Sequence, residues 1–323
     1  MTISPAILDQ YAALTTGAGV AELARSLVEV TGADRLQLLH SFTTADVKKL
    51  PVGGLCEAFV TSPQGKTLGH VLIGHLGQSL VLDTTPGQAA KLIAHFERYI
   101  ISEDAALADR TSEEAVLLVA GAEAVQLLAR LGSGTIPREG AGAVQSAIAG
   151  QEVLIKRVHF LNAPSYFLQA SPGGLSTVGD ALAAAGATPC EHEAVEMARL
   201  EAGTPLFGQD ITDDNLPQEI ARDALAISFT KGCYLGQETV ARIDALGHVN
   251  RMLVGVKFTA ATIPSPGLEL RAVDKVVGHV TSAAWSPKLQ APLAMALVRR
   301  AQAKPGTTLQ FDGGSAEVVK LPL

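Results

Sequence analysis

The last stretch of the chain limits the fold most sharply. After Arg251, six short apolar runs follow one another: Met252 to Phe258, Leu268 to Val273, Val276 to Thr281, Ala294 to Val298, Thr307 to Phe311 and Ala316 to Leu321. Each has the length of a strand, and Pro264, Gly267, Pro287, Pro305 and Gly306 punctuate them. Runs this short cannot bury an apolar face alone. They must share one, and a small all-β barrel or sandwich does so while leaving few edges open. The change of grammar puts a boundary near Asn250, with one domain over residues 1–250 and a second over 251–323.

The first 250 residues read differently. Ala6 to Leu14 predicts a short helix. Gly17 and Gly19 have no strand before them and no third glycine, so they do not make a dinucleotide loop. Ser26 to Val30, Gly54 to Ser62, Gly69 to His75 and Ser79 to Asp83 read as strands, with Ser62-Pro63-Gln64-Gly65-Lys66 as a turn. Helices are expected from Asp34, as a cap, to about His40, and over Pro86 to Ile101. The rhythm then recurs without a sequence repeat. Ala115 to Ala120, Val153 to His159 and Ser165 to Gln169 are strands; Glu123 to Leu131, Val178 to Ala185 and His192 to Ala202 are helices. Gly203 is a natural helix stop, and glycine-rich Gly132 to Gly150 reads as a loop. Hairpins followed by helices predict an α+β domain.

Composition removes some function classes. The chain has 323 residues, 47% of them hydrophobic and 18% charged, which is globular. A net charge of −7 argues against a general grip on nucleic acid, which needs a basic surface. Cys56, Cys190 and Cys233 lie far apart, so neither a disulfide framework nor a metal site is indicated, and a reducing cytoplasm fits. The start, Met1-Thr2-Ile3-Ser4-Pro5, has no charged or apolar leader pattern, and no uncharged apolar run is long enough to span a membrane.

The stretch richest in candidate chemistry is Lys231-Gly232-Cys233-Tyr234-Leu235-Gly236-Gln237-Glu238. Ala226-Ile227-Ser228-Phe229 ahead of it is β-prone, and Gln237 to Ile243 behind it reads as a helix. Cys233 is then expected between a strand end and a helix N-terminus. Free N–H groups and the nearby Lys231 ammonium would favour a thiolate there, able to attack an electrophile or bind a soft metal. The competing reading is a structural cysteine beside a turn. Tyr234 and Gln237 can line a pocket or fill the turn, and Glu238 and Arg242 are spaced for an i,i+4 ion pair. Arg199 and Glu201 sit at a helix end, where a guanidinium can fork onto a carboxylate or cap the helix.

The octapeptide Lys231 to Glu238 resembles the signature of the YgfZ family, the folate-binding relatives of the glycine cleavage T-protein. Gly32-Ala33-Asp34, Thr44-Ala45-Asp46-Val47, Pro63-Gln64-Gly65-Lys66, Arg199 to Pro205, Gly208 to Thr212, Asn215 to Glu219 and Gly247 to Arg251 extend the likeness over nearly the whole chain. The resemblance implies a GcvT-like folate-binding domain, with antiparallel sheets and helices around a central cleft, followed by a carboxy-terminal β-barrel. It implies tetrahydrofolate, or a derivative, as ligand. It implies Cys233, with Lys231, as the functional thiol at the cleft mouth, and Arg199, Glu201, Tyr234, Gln237 and Arg242 as residues around the folate. Iron–sulfur enzymes or assembly proteins are the implied partners, through a transient cluster, with tRNA modification downstream. No direct nucleic-acid or membrane partner is implied.

One departure bears on activity. T-proteins carry a catalytic aspartate in the strand after the Pro63-Gln64-Gly65-Lys66 turn, and here that strand has Gly69-His70 where an acidic pair is expected. Aminomethyl transfer needs a carboxylate beside the folate nitrogen. The expectation is therefore an iron–sulfur accessory protein that binds folate and is not a conventional aminomethyltransferase. Tetrahydrofolate-dependent aminomethyl transfer is the alternative, and a pure interaction module the third reading. His70 reads as a titratable group or as a structural strand histidine.

Overall fold

Strands in the first domain are apolar on both faces, which requires cover on both sides. The computed structural model, which describes residues 3–132 and 135–323, supplies that cover by stacking two sheets. In chain order the first half contains α1 (Pro5–Thr15), β1 (Gly19–Leu23), β2 (Ser26–Thr31), α2 (Arg35–Phe42), β3 (Leu55–Thr61), β4 (Thr67–His75), β5 (Leu80–Thr84), α3 (Ala89–Glu97) and β6 (Ala106–Asp109). The second half begins with β7 (Ala115–Ala120), α4 (Ala124–Leu131), β8 (Gly142–Ile148), β9 (Gln151–Val158), β10 (Ser165–Ala170), α5 (Pro172–Ala184), β11 (Thr188–Pro189) and α6 (His192–Ala202). A short α7 (Asp223–Ala226) and α8 (Gln237–Leu246) lead to the barrel.

One sheet runs β3-β4-β5-β2-β6; the other runs β11-β1-β7-β10-β9-β8. Their facing sides share one core, in which Leu27, Phe59 and Val81 of the first meet Val116, Leu118 and Phe167 of the second. The outer face of the first sheet is covered by α2 and α3 through Leu38, Leu39, Leu92 and Phe96. The outer face of the second is covered by α4 and α5 through Leu127, Leu128, Val178 and Leu182. In β10 every residue is buried, as a strand between two covered faces should be.

The barrel strands are β12 (Arg251–Phe258), β13 (Glu269–Ala272), β14 (Lys275–Ser286), β15 (Ala291–Arg299), β16 (Thr308–Phe311) and β17 (Gly314–Val319). They close into a barrel, one of the two architectures that the six runs predict, in the order β12-β15-β14-β13-β16-β17. Val256, Phe258, Leu270, Val280, Val298 and Leu309 fill it.

Some local expectations fail. Gly142–Ile148 is a strand where a loop is expected, and Gly19–Leu23 is a strand that the sequence reading does not place. The segment Ala226 to Phe229 is not a strand. Ala226 ends α7, and the chain then runs irregularly over β3, held by Thr44, whose hydroxyl donates to Ala226 O (2.5 Å) and whose carbonyl accepts from Ser228 N (2.9 Å). Asp34 precedes α2 without capping it by its side chain; its carboxylate accepts instead from Asp104 N (2.9 Å). Among the described residues, no helix is long and apolar enough to cross a membrane.

Candidate functional site

The site is built on two neighbouring strands. β3 and β4 are antiparallel, with Phe59 opposite His70 and Glu57 opposite Leu72. Glu57 and His70 are thus diagonal neighbours on one face, close enough for His70 Nε2 to lie 3.1 Å from Glu57 Oε2. The imidazole stacks on Phe59, with ring centroids 5.1 Å apart. Arg222, just ahead of α7, closes the group. Its Nε donates to Glu57 Oε2 (2.8 Å) and its Nη2 to Glu57 Oε1 (2.5 Å) and to His159 O (3.2 Å). Burial pushes the Glu57 carboxyl up, but the His70 hydrogen bond and the Arg222 charge outweigh it and hold it down at about 2.

These three side chains line a cleft between the sheets, with Asp83, Phe160, Phe167 and Leu206 on its walls. Its cavity volume is about 50 Å³. Arg25 lies over the Phe167 ring at 5.3 Å and donates from Nε to Asp83 Oδ1 (2.6 Å). Lys156 Nζ reaches the other oxygen of Asp83 (2.5 Å) and Gln169 Oε1 (2.6 Å), and Gln169 in turn donates to Glu114. Burial opposes the charge on Asp83, and the two cations hold its carboxyl below the usual range. Among the described residues, no three His, Cys, Asp or Glu side chains converge as a metal site.

The residues singled out from sequence lie elsewhere. Lys231 is buried, and its ammonium donates to the carbonyls of His40 (2.5 Å), Thr43 (2.6 Å) and Ala45 (2.9 Å) while sitting 4.7 Å over the Tyr234 ring. It ties down the end of α2. Burial presses its pKa down to about 8, and burial pushes the Tyr234 phenol up to about 12. Cys233 is exposed and does not line the cleft. It lies in irregular chain between α7 and α8, four residues before the first residue of α8, so no strand end or helix N-terminus flanks it. Gln237 is half-buried at the start of α8, Arg242 is exposed on it, and no ion pair joins Glu238 to Arg242 among the described residues.

Arg199 and Glu201 are buried in the seam with the barrel. Arg199 donates twice to Glu196 (2.7 and 2.6 Å), once to Thr204 O (2.7 Å) and once to Asp210 Oδ2 (3.0 Å). Asp210 also accepts from Thr281 and Ser282 of β14 (2.7 and 2.5 Å). Glu201 accepts from Tyr11 (2.6 Å), Ser286 (2.6 Å) and Lys288 N (3.1 Å). Neither reaches the cleft directly, although Thr204 and Leu206, which line it, are held by Arg199 and Asp210.

Sequence reasoning passed over Glu57 and Arg222. Glu57 carried a signal: it is the one acid in the apolar run Leu55 to Val60. A lone carboxylate in a covered strand needs a partner or a ligand. Arg222 carried none, because its role depends on how α7 docks on β3. The cleft thus does hold a carboxylate, on the strand beside Gly69-His70.

Comparison with known proteins agrees with this architecture. The GCVT N-terminal domain profile matches residues 2–231, and the glycine cleavage T-protein C-terminal barrel domain profile matches 251–323. The chain belongs to the GcvT family. A protein of Saccharopolyspora erythraea named aminomethyltransferase is 29% identical over 97% of this chain and 88% of its own length. One of Herpetosiphon aurantiacus with the same name is 28% identical over 98% and 89%. The crystal structure of the glycine cleavage system aminomethyltransferase T from Bartonella henselae superposes with a TM-score of 0.86 at 21% identity, covering 98% of this chain and 89% of that one. That structural likeness concerns the fold, and it fits the stacked sheets and closed barrel described above.

Proposed function

We propose that the chain binds a tetrahydrofolate in the cleft between its sheets and takes part in aminomethyl transfer. The observation that carries the reading is the buried Glu57 carboxylate, set with His70 among aromatic walls. The residues fit a pterin. Its 2-amino-4-oxo edge is a cyclic guanidine, which a carboxylate receives through two parallel hydrogen bonds. Phe160 and Phe167 offer apolar cover for a flat ring, and the Arg25 cation suits an anionic tail. The full-length likeness to proteins named aminomethyltransferase supports transfer over simple storage.

When bound, the folate supplies the nitrogen that accepts the one-carbon unit. Glu57 orients the ring edge, and His70, at the strand position where an acidic pair is expected, is the imidazole able to pass a proton. The test is incubation with tetrahydrofolate and an aminomethyl-lipoyl carrier, from which ammonia leaves as the methylene passes to the folate. Methylenetetrahydrofolate is expected, and lost in Glu57→Gln. Saturable folate binding without product overturns the transfer step.

A second reading rests on a separate observation. The octapeptide Lys231 to Glu238, with its YgfZ-like signature, leaves the Cys233 thiol exposed on an anchored turn. That supports a folate-binding accessory role toward iron–sulfur proteins, with the thiol meeting a partner and a transient cluster. Complementation of a knockout separates the two. Cys233→Ala fails to complement under the accessory reading and complements fully under the transferase reading.

A further inference from the structure

The cleft as it stands, at about 50 Å³, is too narrow for a bicyclic ring. Arg222 occupies both oxygens of Glu57 with a forked guanidinium. Arg222, His159 and Thr204 also line a second hollow, of about 530 Å³, between the first domain and the barrel. This larger groove is mostly apolar, with Leu253, Met295 and Leu321 along it and Lys320 beside them. Arg222 therefore stands at the place where two hollows meet.

The chemistry of that place is specific. A guanidinium and the 2-amino-3H-pyrimidinone edge of a pterin present the same pair of parallel N–H donors. Glu57 can face one such parallel fork at a time, with His70 Nε2 as a further partner of its Oε2. Arg222 has an alternative near at hand, since its Nη2 already donates to the His159 carbonyl. Its side chain is only 9% exposed, so a rotation gives up packing in the cleft, which a bound ring would replace.

We propose that Arg222 is a built-in competitor for the ligand's ring edge: it holds Glu57 charged and the cleft closed until a cyclic guanidine displaces it, and its departure joins the cleft to the groove beside the barrel. This rests on the folate reading above and adds to it a residue that sets affinity and selectivity. The arrangement keeps a buried carboxylate paired in both states, because one donor fork leaves as the other arrives. It selects against ring systems that lack the exocyclic amine, since these would evict Arg222 and leave Glu57 half satisfied.

The test compares full-length wild type with Arg222→Met, Arg222→Lys and Glu57→Gln. Binding of tetrahydropterin and of its 2-deamino analogue is read by calorimetry, with thermal unfolding alongside. Arg222→Met is expected to bind tetrahydropterin at least tenfold more tightly than wild type, and to be stabilised more by it. Glu57→Gln is expected to lose at least tenfold in affinity and most of the preference for the 2-amino ring. Arg222→Lys, a cation without the fork, falls between wild type and Arg222→Met. Weaker binding by a folded Arg222→Met would make Arg222 a ligand contact and overturn the proposal while leaving the folate reading intact. Absence of binding by wild type and by Arg222→Met alike would overturn both. If Arg222→Met does not fold, Arg222→Lys decides: affinity at or below wild type overturns the proposal.

Discussion

Replacing Asp210 by alanine tests whether the buried arginine of α6 serves the seam between domain and barrel. Asp210 Oδ2 accepts from Arg199 Nη1 (3.0 Å) and Leu206 N (2.9 Å), and Oδ1 accepts from Thr281 (2.7 Å) and Ser282 (2.5 Å). Both charged side chains of the pair are fully buried. Deleting the carboxylate leaves the guanidinium with Glu196 and Thr204 O and the Thr281 hydroxyl with Met295 O (3.2 Å), but orphans the Leu206 N–H and the Ser282 hydroxyl. Breaking a buried pair from one side costs about 3–5 kcal/mol. At roughly 2–4 °C per kcal/mol for a chain of this class, the loss is about 10 °C in melting temperature. The single tryptophan, Trp285 of β14, lies next to Ser286, which donates to Glu201 across the same seam. Its fluorescence reports on the latch, and far-UV circular dichroism reports on the whole chain. The Asp210→Ala variant should lose its Trp285 signal first, so that the two transitions no longer coincide. A midpoint within about 1 kcal/mol of wild type, with coincident transitions, refutes the latch, because surface pairs are worth that little.

Three further outcomes are expected. Glu57 is held at about 2 against an ordinary 4.5, so its contribution to stability is present above pH 4.5 and lost as pH falls toward 2. Glu57→Gln should flatten that limb of an acid titration followed by circular dichroism, and an unchanged limb would contradict the pairing. Gly236 has φ +81°, and a Cβ there would collide with the Ser62 carbonyl, so Gly236→Ala should cost about 2–3 kcal/mol in urea unfolding. Burial pushes the Cys56 and Cys190 thiols up to about 12 and about 11, and Cys233 alone is exposed. An aromatic disulfide reagent at pH 8 should therefore show one fast thiol, absent from Cys233→Ser; two fast thiols would contradict the burial of the others.

The barrel was legible because its strands are apolar runs set off by proline and glycine, so that each declares its ends. Gly142–Ile148 was not, since Gly142, Ala143 and Ala147 give a strand little side-chain signal; its place is fixed by pairing with β9. Ala226 to Phe229 misled in the other direction. A four-residue apolar run fits a strand or a docked loop equally, and here Thr44 supplies the hydrogen bonds that a neighbouring strand would have made. The candidate site was legible at one end only. His70 drew notice through the missing acid, but its partner Glu57 is thirteen residues away and meets it through strand register. Arg222, another 165 residues on from Glu57, arrives through tertiary docking, which no local pattern encodes.

The octapeptide shows how a motif rich in functional residue types can be committed to anchoring. Lys231 caps three carbonyls at the end of α2, Tyr234 covers that ammonium, Leu235 is gripped by Ser41 and Thr61, and Gly236 is pressed on the Ser62–Gly65 turn. Each of these contacts fastens the motif to the sheet that carries Glu57 and His70. Among these anchored residues, the Cys233 side chain is the one turned out to solvent. The motif and the cleft are thus two faces of one sheet assembly, joined by backbone and not by a shared pocket. Glu57→Gln and Cys233→Ala should consequently act independently: the first on folate affinity with thiol reactivity unchanged, the second the reverse. A double variant whose losses in folate affinity and thiol reactivity are not those of the two single variants would mean that cleft and thiol work as one unit, which this geometry does not allow without a conformational change.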